Sequence, residues 1–275
     1  MRHILSYLTK DIKMKNTFKL TSFLSGVLIY LVLFYSTALF AETFKDTFAV
    51  KQGGKLTIQT DAGSIRINTH NQPNIELTVK VESRDGDKFG YKHELTDGNL
   101  TIIGETERNN GWVRNLRVEF DLLIPKDYDV ELNTSGGSLS IDDLTGELNA
   151  RTSGGAISVG NITGDVILHT SGGSINTDTV TGNLNAHTSG GSINVTVDKQ
   201  FSQDAKLTTS GGSITAYLMA NIQADIYAST SGGRVKSDFE IDGKVKKMSV
   251  KGKINGGGPK LTLKTSGGSI KIKQI

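Results

Sequence analysis

The sequence predicts an all-β protein, a parallel β-solenoid (β-helix) with coils of 18 to 21 residues and an irregular N-terminal β cap. Three observations carry this. Thr-Ser-Gly-Gly begins at Thr134, Thr152, Thr170, Thr188, Thr209, Thr230 and Thr265, at intervals of 18, 18, 18, 21, 21 and 35. A second punctuation, Thr-Gly, falls midway at Thr145, Thr163 and Thr181, again 18 apart. Between punctuations apolar and polar residues alternate, which is the pattern of strands with one buried face.

The same slots stay apolar from copy to copy. Leu139, Ile157, Ile175 and Ile193 form one column, Leu144, Ile162 and Val180 a second, Leu148, Val166 and Leu184 a third. Such columns arise when each copy is one coil stacked on the last, ~4.8 Å away, with backbone hydrogen bonds along the axis. Seven such coils span about 30 Å. Gly-Gly allows positive φ at the corner, and the neighbouring Thr and Ser can stack as hydroxyl ladders. The 21-residue copies keep the pattern through Ile193, Val195, Val197 and Leu207 and absorb three residues in the far turn. A loop around Gly256-Gly257-Gly258-Pro259, or one degenerate coil, is expected inside the 35-residue interval.

Residues 42–133 lack the repeat but alternate as strands, at Ile75, Leu77, Val79 and Val81 and at Leu116 to Ile124. Thr60-Asp61-Ala62-Gly63-Ser64-Ile65 reads as a worn copy of the corner. This region is expected to cap one end, since an open solenoid end is an exposed sheet edge. At the other end Ile270 and Ile272 alternate with Lys271 and Lys273, so a lysine-bearing last strand is expected to guard the edge.

Residues 1–41 form the third segment. Lys13, Lys15 and Lys19 precede an uncharged run from Leu20 to Ala41, with small residues before Glu42. This describes a secretory signal, or, since ~20 apolar residues span a bilayer, an uncleaved anchor. Met14 is an alternative start. Either way the rest of the chain is expected outside the cytoplasm: periplasm, cell surface or medium.

Charge qualifies the partner. The 275 residues carry 31 Lys plus Arg and 28 Asp plus Glu, and no Cys, which excludes disulfides, thiolate metal sites and a cysteine nucleophile. Residues 1–41 hold five bases and one acid, so residues 42–275 keep 26 bases and 27 acids, a formal −1. A nucleic-acid partner read from the overall +3 would rest on the leader. Within the remainder, residues 234–275 have 11 bases and 3 acids, net +8, leaving −9 for residues 42–233. Acidic partners such as lipid headgroups or anionic glycans fit that basic end.

The leader, the β segment ending Leu123-Ile124-Pro125-Lys126, and the repeated Thr-Ser-Gly-Gly-Ser-Ile and Leu-Thr-Gly-Glu-Leu resemble the bacterial putative-adhesin family. The resemblance covers roughly residues 45–275. It implies an extracytoplasmic β-helical, adhesin-like strand-repeat domain of unknown function, and supplies no catalytic residues.

The residues themselves offer few chemical candidates. Seven equivalent serines at one corner mark a turn rather than a nucleophile, and no Gly-x-Ser-x-Gly elbow is present. Calcium β-roll nonapeptides and the six-residue period of hexapeptide acyltransferases are also missing. His169 and His187 share an outward slot in adjacent coils and are weak metal candidates, with Asp165 as a third donor and Arg151 beside them as a repelling charge. Glu147, Asp165 and Asn183 share another outward column. A carboxylate pair at ~4.8 Å approaches the ~5–5.5 Å of retaining glycosidases. Trp112 is the only tryptophan, either stacking on a sugar or filling the cap. The weak ligand-binding candidates are therefore Trp112, Glu147, Asp165, Lys271 and Lys273. No cofactor and no catalytic residue is expected.

The function expected is a non-enzymatic adhesin-like binding protein of the envelope or surface, facing glycan, matrix or protein. A scaffold that stacks end to end is the alternative, and a glycan-active enzyme using Glu147 or Asp165 a third.

Overall fold

The computed structural model describes residues 40–83, 88–107 and 116–275. Most of the expected leader and Trp112 lie outside the described residues. Among the described residues there is no helix long and apolar enough to cross a membrane.

The protein is an all-β solenoid. Among the described residues the strands form an eleven-stranded and a twelve-stranded sheet, parallel through the repeat, with a short third sheet pairing Leu144–Thr145 with Ile162–Thr163. Each 18-residue coil contributes one strand to each large sheet and turns at Thr-Ser-Gly-Gly. Thus Leu148–Thr152 pairs with Val166–Thr170 in one sheet, and Ile157–Val159 pairs with Ile175–Thr177 in the other. All three apolar columns point into the interior, with no member more than 4% exposed. In the 21-residue coils Phe201 and Ile222 are buried in the enlarged far turn.

The corner works differently from a positive-φ turn. Of the second glycines in the Thr-Ser-Gly-Gly corners, only Gly137 has a left-handed φ, at 110°. What excludes a side chain there is the coil beneath. A Cβ on Gly155, Gly173, Gly191 or Gly212 would stand 2.0 Å from the carbonyl oxygen of the matching glycine one coil away. The first glycines are looser: Gly136 and Gly154 have open space around them. Nor do the threonine hydroxyls bond to one another. Thr170 Oγ1 donates to the Gly155 carbonyl of the preceding coil at 2.8 Å and accepts the Gly173 N–H at 3.3 Å. Thr152, Thr188, Thr209, Thr230 and Thr265 make the same donation. Each buried hydroxyl therefore satisfies two backbone groups that the corner would otherwise orphan. The serines after the glycines do form a ladder, Ser174 to Ser192 to Ser213 to Ser269, each Oγ accepting the next backbone N–H at 3.1–3.2 Å.

At both ends the spatial order departs from chain order. Lys260–Thr265 lies between Ala205–Thr209 and Ala224–Thr230, and Ile270–Gln274 between Ile214–Leu218 and Val235–Ser237. The last coil of the chain is thus inserted beneath the one before it. This corrects the expectation that Lys271 and Lys273 sit on the edge strand. Every coil has the same apolar slots, so Ile226 and Ala205 both find Leu261 in register. The 35-residue interval holds an antiparallel hairpin, Asp242–Lys246 with Ser249–Ile254, before the glycine turn at residues 255–258. Its outer strand is exposed throughout, and its Lys244 and Lys246 guard the edge.

The N-terminal end uses the same exchange. Lys55–Thr60 sits between Asn99–Glu107 and Asp129–Thr134, and the worn corner at Thr60 turns into Ser64–His70 as a genuine coil. Antiparallel strands Phe40–Ala49, Asn74–Ser83 and Lys88–Thr96 complete this end. Phe40 and Ala41, the end of the expected leader, pair with Ser83 and Glu82. Edge strands of the two sheets meet here, Phe44 against Tyr91 and Phe48 against His93 with centroids 5.8 and 4.8 Å apart, while Tyr91 donates to Asp46 at 2.5 Å. Burial and the Asp46 carboxylate push the Tyr91 hydroxyl well above the ordinary tyrosine range.

Candidate functional site

The outward residues of parallel coils line up in rows, and these rows are where ligand chemistry can arise. On the eleven-stranded sheet one row runs Ser140, Ser158, Asn176, Asn194, Thr215 and then Lys271. Asn194 Nδ2 donates to Asn176 Oδ1 at 2.9 Å, an amide ladder across coils. Lys271 and Lys273 are exposed, as expected, but beside Thr215 and Tyr217 in the interior of the sheet.

Glu147, Asp165 and Asn183 do share a column, preceded by Asp129. Its aspartates, Asp129 and Asp165, cap backbone. Asp129 Oδ1 accepts the Glu147 N–H at 2.7 Å, and Asp165 accepts the N–H and side-chain amide of Asn183 at 2.9 and 3.0 Å. The Asn183 amide, then its backbone N–H, hold the Asp165 carboxyl below the usual carboxylate range. An acid held ionised in this way is poorly placed to protonate a leaving group.

His169 and His187 stack with centroids 5.0 Å apart and planes 19° apart. His187 Nδ1 is 2.8 Å from the Thr208 hydroxyl. Among the described residues no group of three or more His, Cys, Asp or Glu converges to hold a metal. Partial burial first, then the charges of His187 and Arg151, lower the His169 pKa. An imidazole held below its unfolded value of about 6.5 leaves the unfolded chain with more bound protons as pH falls. Its contribution is therefore intact above that value and is lost as pH drops from there toward the folded-state value. Urea midpoints at pH 7.5 and pH 5 should show a larger fall for the wild type than for His169→Gln; equal falls would contradict it.

One group escaped the sequence reading. The hairpin brings Lys244, Lys251 and Lys253 beside Tyr227 and Lys260, forming a shallow groove. Alternating lysines on either side of Met248 carry the signal for a hairpin, but they fall between coils and outside the 18- and 21-residue spacing.

Known proteins offer the following likenesses. Residues 164–273 match the family model described as Toastrack DUF4097. Among solved structures, a putative cell adhesion protein from Clostridium sporogenes is 16% identical, covering 85% of this chain and 100% of that one, with a TM-score of 0.43. A putative adhesin from Bacteroides fragilis is 11% identical over 85% and 97%, TM-score 0.32. A putative lipid binding protein from Parabacteroides distasonis is 13% identical over 85% and 96%, TM-score 0.28. No curated protein sequence matches. The matched span, residues 164–273, holds the Thr-Ser-Gly-Gly corners at Thr170, Thr188, Thr209, Thr230 and Thr265, so the likeness to the Toastrack DUF4097 family rests on the repeat itself.

Proposed function

We propose that the chain is a non-enzymatic, extracytoplasmic adhesin-like protein of the cell envelope or surface that binds glycan through its repetitive sheet faces. The observation that carries this reading is the outward row Ser140, Ser158, Asn176, Asn194 and Thr215, short polar groups held in register by the parallel strands. Hydroxyls and amides repeated every ~4.8 Å suit many weak hydrogen bonds to a polymer that itself repeats. Location outside the cytoplasm is supported by the basic start and apolar run before Glu42. End-to-end stacking is the weaker reading, because the outer hairpin strand carries Lys244 and Lys246 and like charges there oppose strand addition.

A glycan array with purified residues 40–275 tests the reading. Binding to at least one repeating polysaccharide is expected, and it should weaken severalfold in Asn176→Ala/Asn194→Ala. Silence across neutral and acidic glycans would count against it.

A further inference from the structure

The twelve-stranded sheet changes character toward its C-terminal end. In space its last strands run Ala205–Thr209, Lys260–Thr265, Ala224–Thr230, Ser249–Ile254 and Asp242–Lys246. One outward row across them reads Lys206, Thr262, Tyr227, Lys251, Lys244. Flanking it are Lys260 and Lys253, alternating with Asp225 and Asp242, on one side and Lys264 and Lys246 on the other. The inserted last coil places Lys260 and Lys264 between the strands that carry Lys206 and Tyr227.

These lysines have no acidic partner. Every ion pair among the described residues falls at or before Glu131. Asp225 and Asp242 border the groove, but Asp225 accepts the Gly258 N–H at 3.4 Å, and neither reaches a lysine within ion-pair distance. Tyr227 stands 36% exposed, with Lys264 Nζ 5.2 Å from its ring centroid. The cross-strand pair Gly243 and Gly252, in register with the buried Ile226, lies on the opposite, inward-facing side of the strands and presents backbone alone to the groove.

We infer that this groove is a binding site for a polyanionic glycan, a polysaccharide carrying sulfate or carboxylate groups along its length. The inference rests on the glycan-binding reading above and adds to it a second place, on the other sheet from the Asn176 and Asn194 row, with its own ligand class. Five strands present the row over about 20 Å, the scale of an extended polymer rather than a single small anion. Lysine ammoniums answer the charges, and the exposed tyrosine ring offers a flat apolar face of the kind a sugar ring stacks on. A lipid surface fits less well. The exposed apolar groups nearby, Val245 at 63% and Met248 at 38%, belong to the inward-facing position and the turn of the hairpin. The lysine face itself carries no apolar group except Tyr227, whereas interfacial binding needs apolar side chains on the contacting face.

The test uses residues 40–275 and immobilised heparin, polygalacturonate and neutral dextran, with phosphatidylglycerol vesicles and single-stranded DNA as competitors. Wild type should bind heparin or polygalacturonate with salt-dependent affinity. Lys251→Gln/Lys264→Gln should lose at least tenfold and shallow the salt slope by about two, roughly one per charge contact. Lys271→Gln/Lys273→Gln, on the other sheet, removes the same charge and should stay within twofold. Tyr227→Ala should weaken binding while Tyr227→Phe retains it, with melting curves confirming that each variant is folded. Equal losses from both lysine pairs would overturn the groove assignment, as would preferential competition by vesicles or DNA. Binding to dextran or another neutral glycan that ignores the groove variants would overturn this inference while sparing the broader reading. Silence toward every glycan at low salt would overturn both.

Discussion

Gly173→Ala is expected to be among the most damaging single substitutions in the chain, although it adds one methyl group at a surface corner. The new Cβ would sit 2.0 Å from the Gly155 carbonyl oxygen, 2.3 Å from its carbon and 2.5 Å from the Ala156 nitrogen, all backbone atoms. No side chain can swing away to make room. Relief requires the two coils to part locally, which strains the Thr170 bonds to Gly155 and Gly173 that close the same corner. Overpacking costs of 1–3 kcal/mol are ordinary, and with buried hydrogen bonds lost as well, about 4 kcal/mol is expected here. Gly154→Ala is the control. It has open space and no left-handed φ, so it should be neutral or gain about 0.4–1 kcal/mol by restricting the unfolded chain. Urea unfolding of the two variants checks this. Similar midpoints would mean that the close coil contact does not govern the second glycine.

Deleting residues 256–275 should disrupt far more than one end. Their two strands lie between other coils, so removal strips pairing partners from Ala205–Thr209, Ile214–Leu218, Ala224–Thr230 and Val235–Ser237 together. It also removes Leu261, Leu263, Ile270 and Ile272, each at most 2% exposed. Fully burying side chains of this size contributes about 1.5–3 kcal/mol each, so the loss is of order 10 kcal/mol before relaxation. Hydrogen exchange of the shortened chain should show lost protection across residues 205–254, with residues 139–188 still protected. In a stack that followed chain order, the same deletion would remove only a terminal coil and leave residues 205–237 protected. That second pattern would refute the inserted arrangement.

The inserted coil also explains why some of the candidate site was legible and some was not. The shared columns of Glu147 with Asp165 and of His169 with His187 follow from 18-residue spacing alone, and both columns are present. Spacing did not reveal what the polar atoms were already bonded to. Asp165 is engaged by Asn183, and His187 lies against Thr208, three residues of longer coil further on. The lysine groove was illegible for a different reason. Its parts, Lys206, Tyr227, Lys251 and Lys264, are scattered over 59 positions and are assembled by pairings that no single repeat encodes.

By itself the sequence determined the class, the coil length, the inward and outward faces and the corners. All of these follow from local alternation and from steric demands repeated every 18 or 21 residues. Only the tertiary structure decided which coil lies on which. Equivalent slots accept any neighbour in register, so Leu261 fits between Ala205 and Ile226 as well as Ile226 would fit on Ala205 directly. Local pattern cannot choose between them. The choice falls to the ends, where burying the last strands and placing the lysine-bearing hairpin outermost leaves a sheet edge that repels further strands.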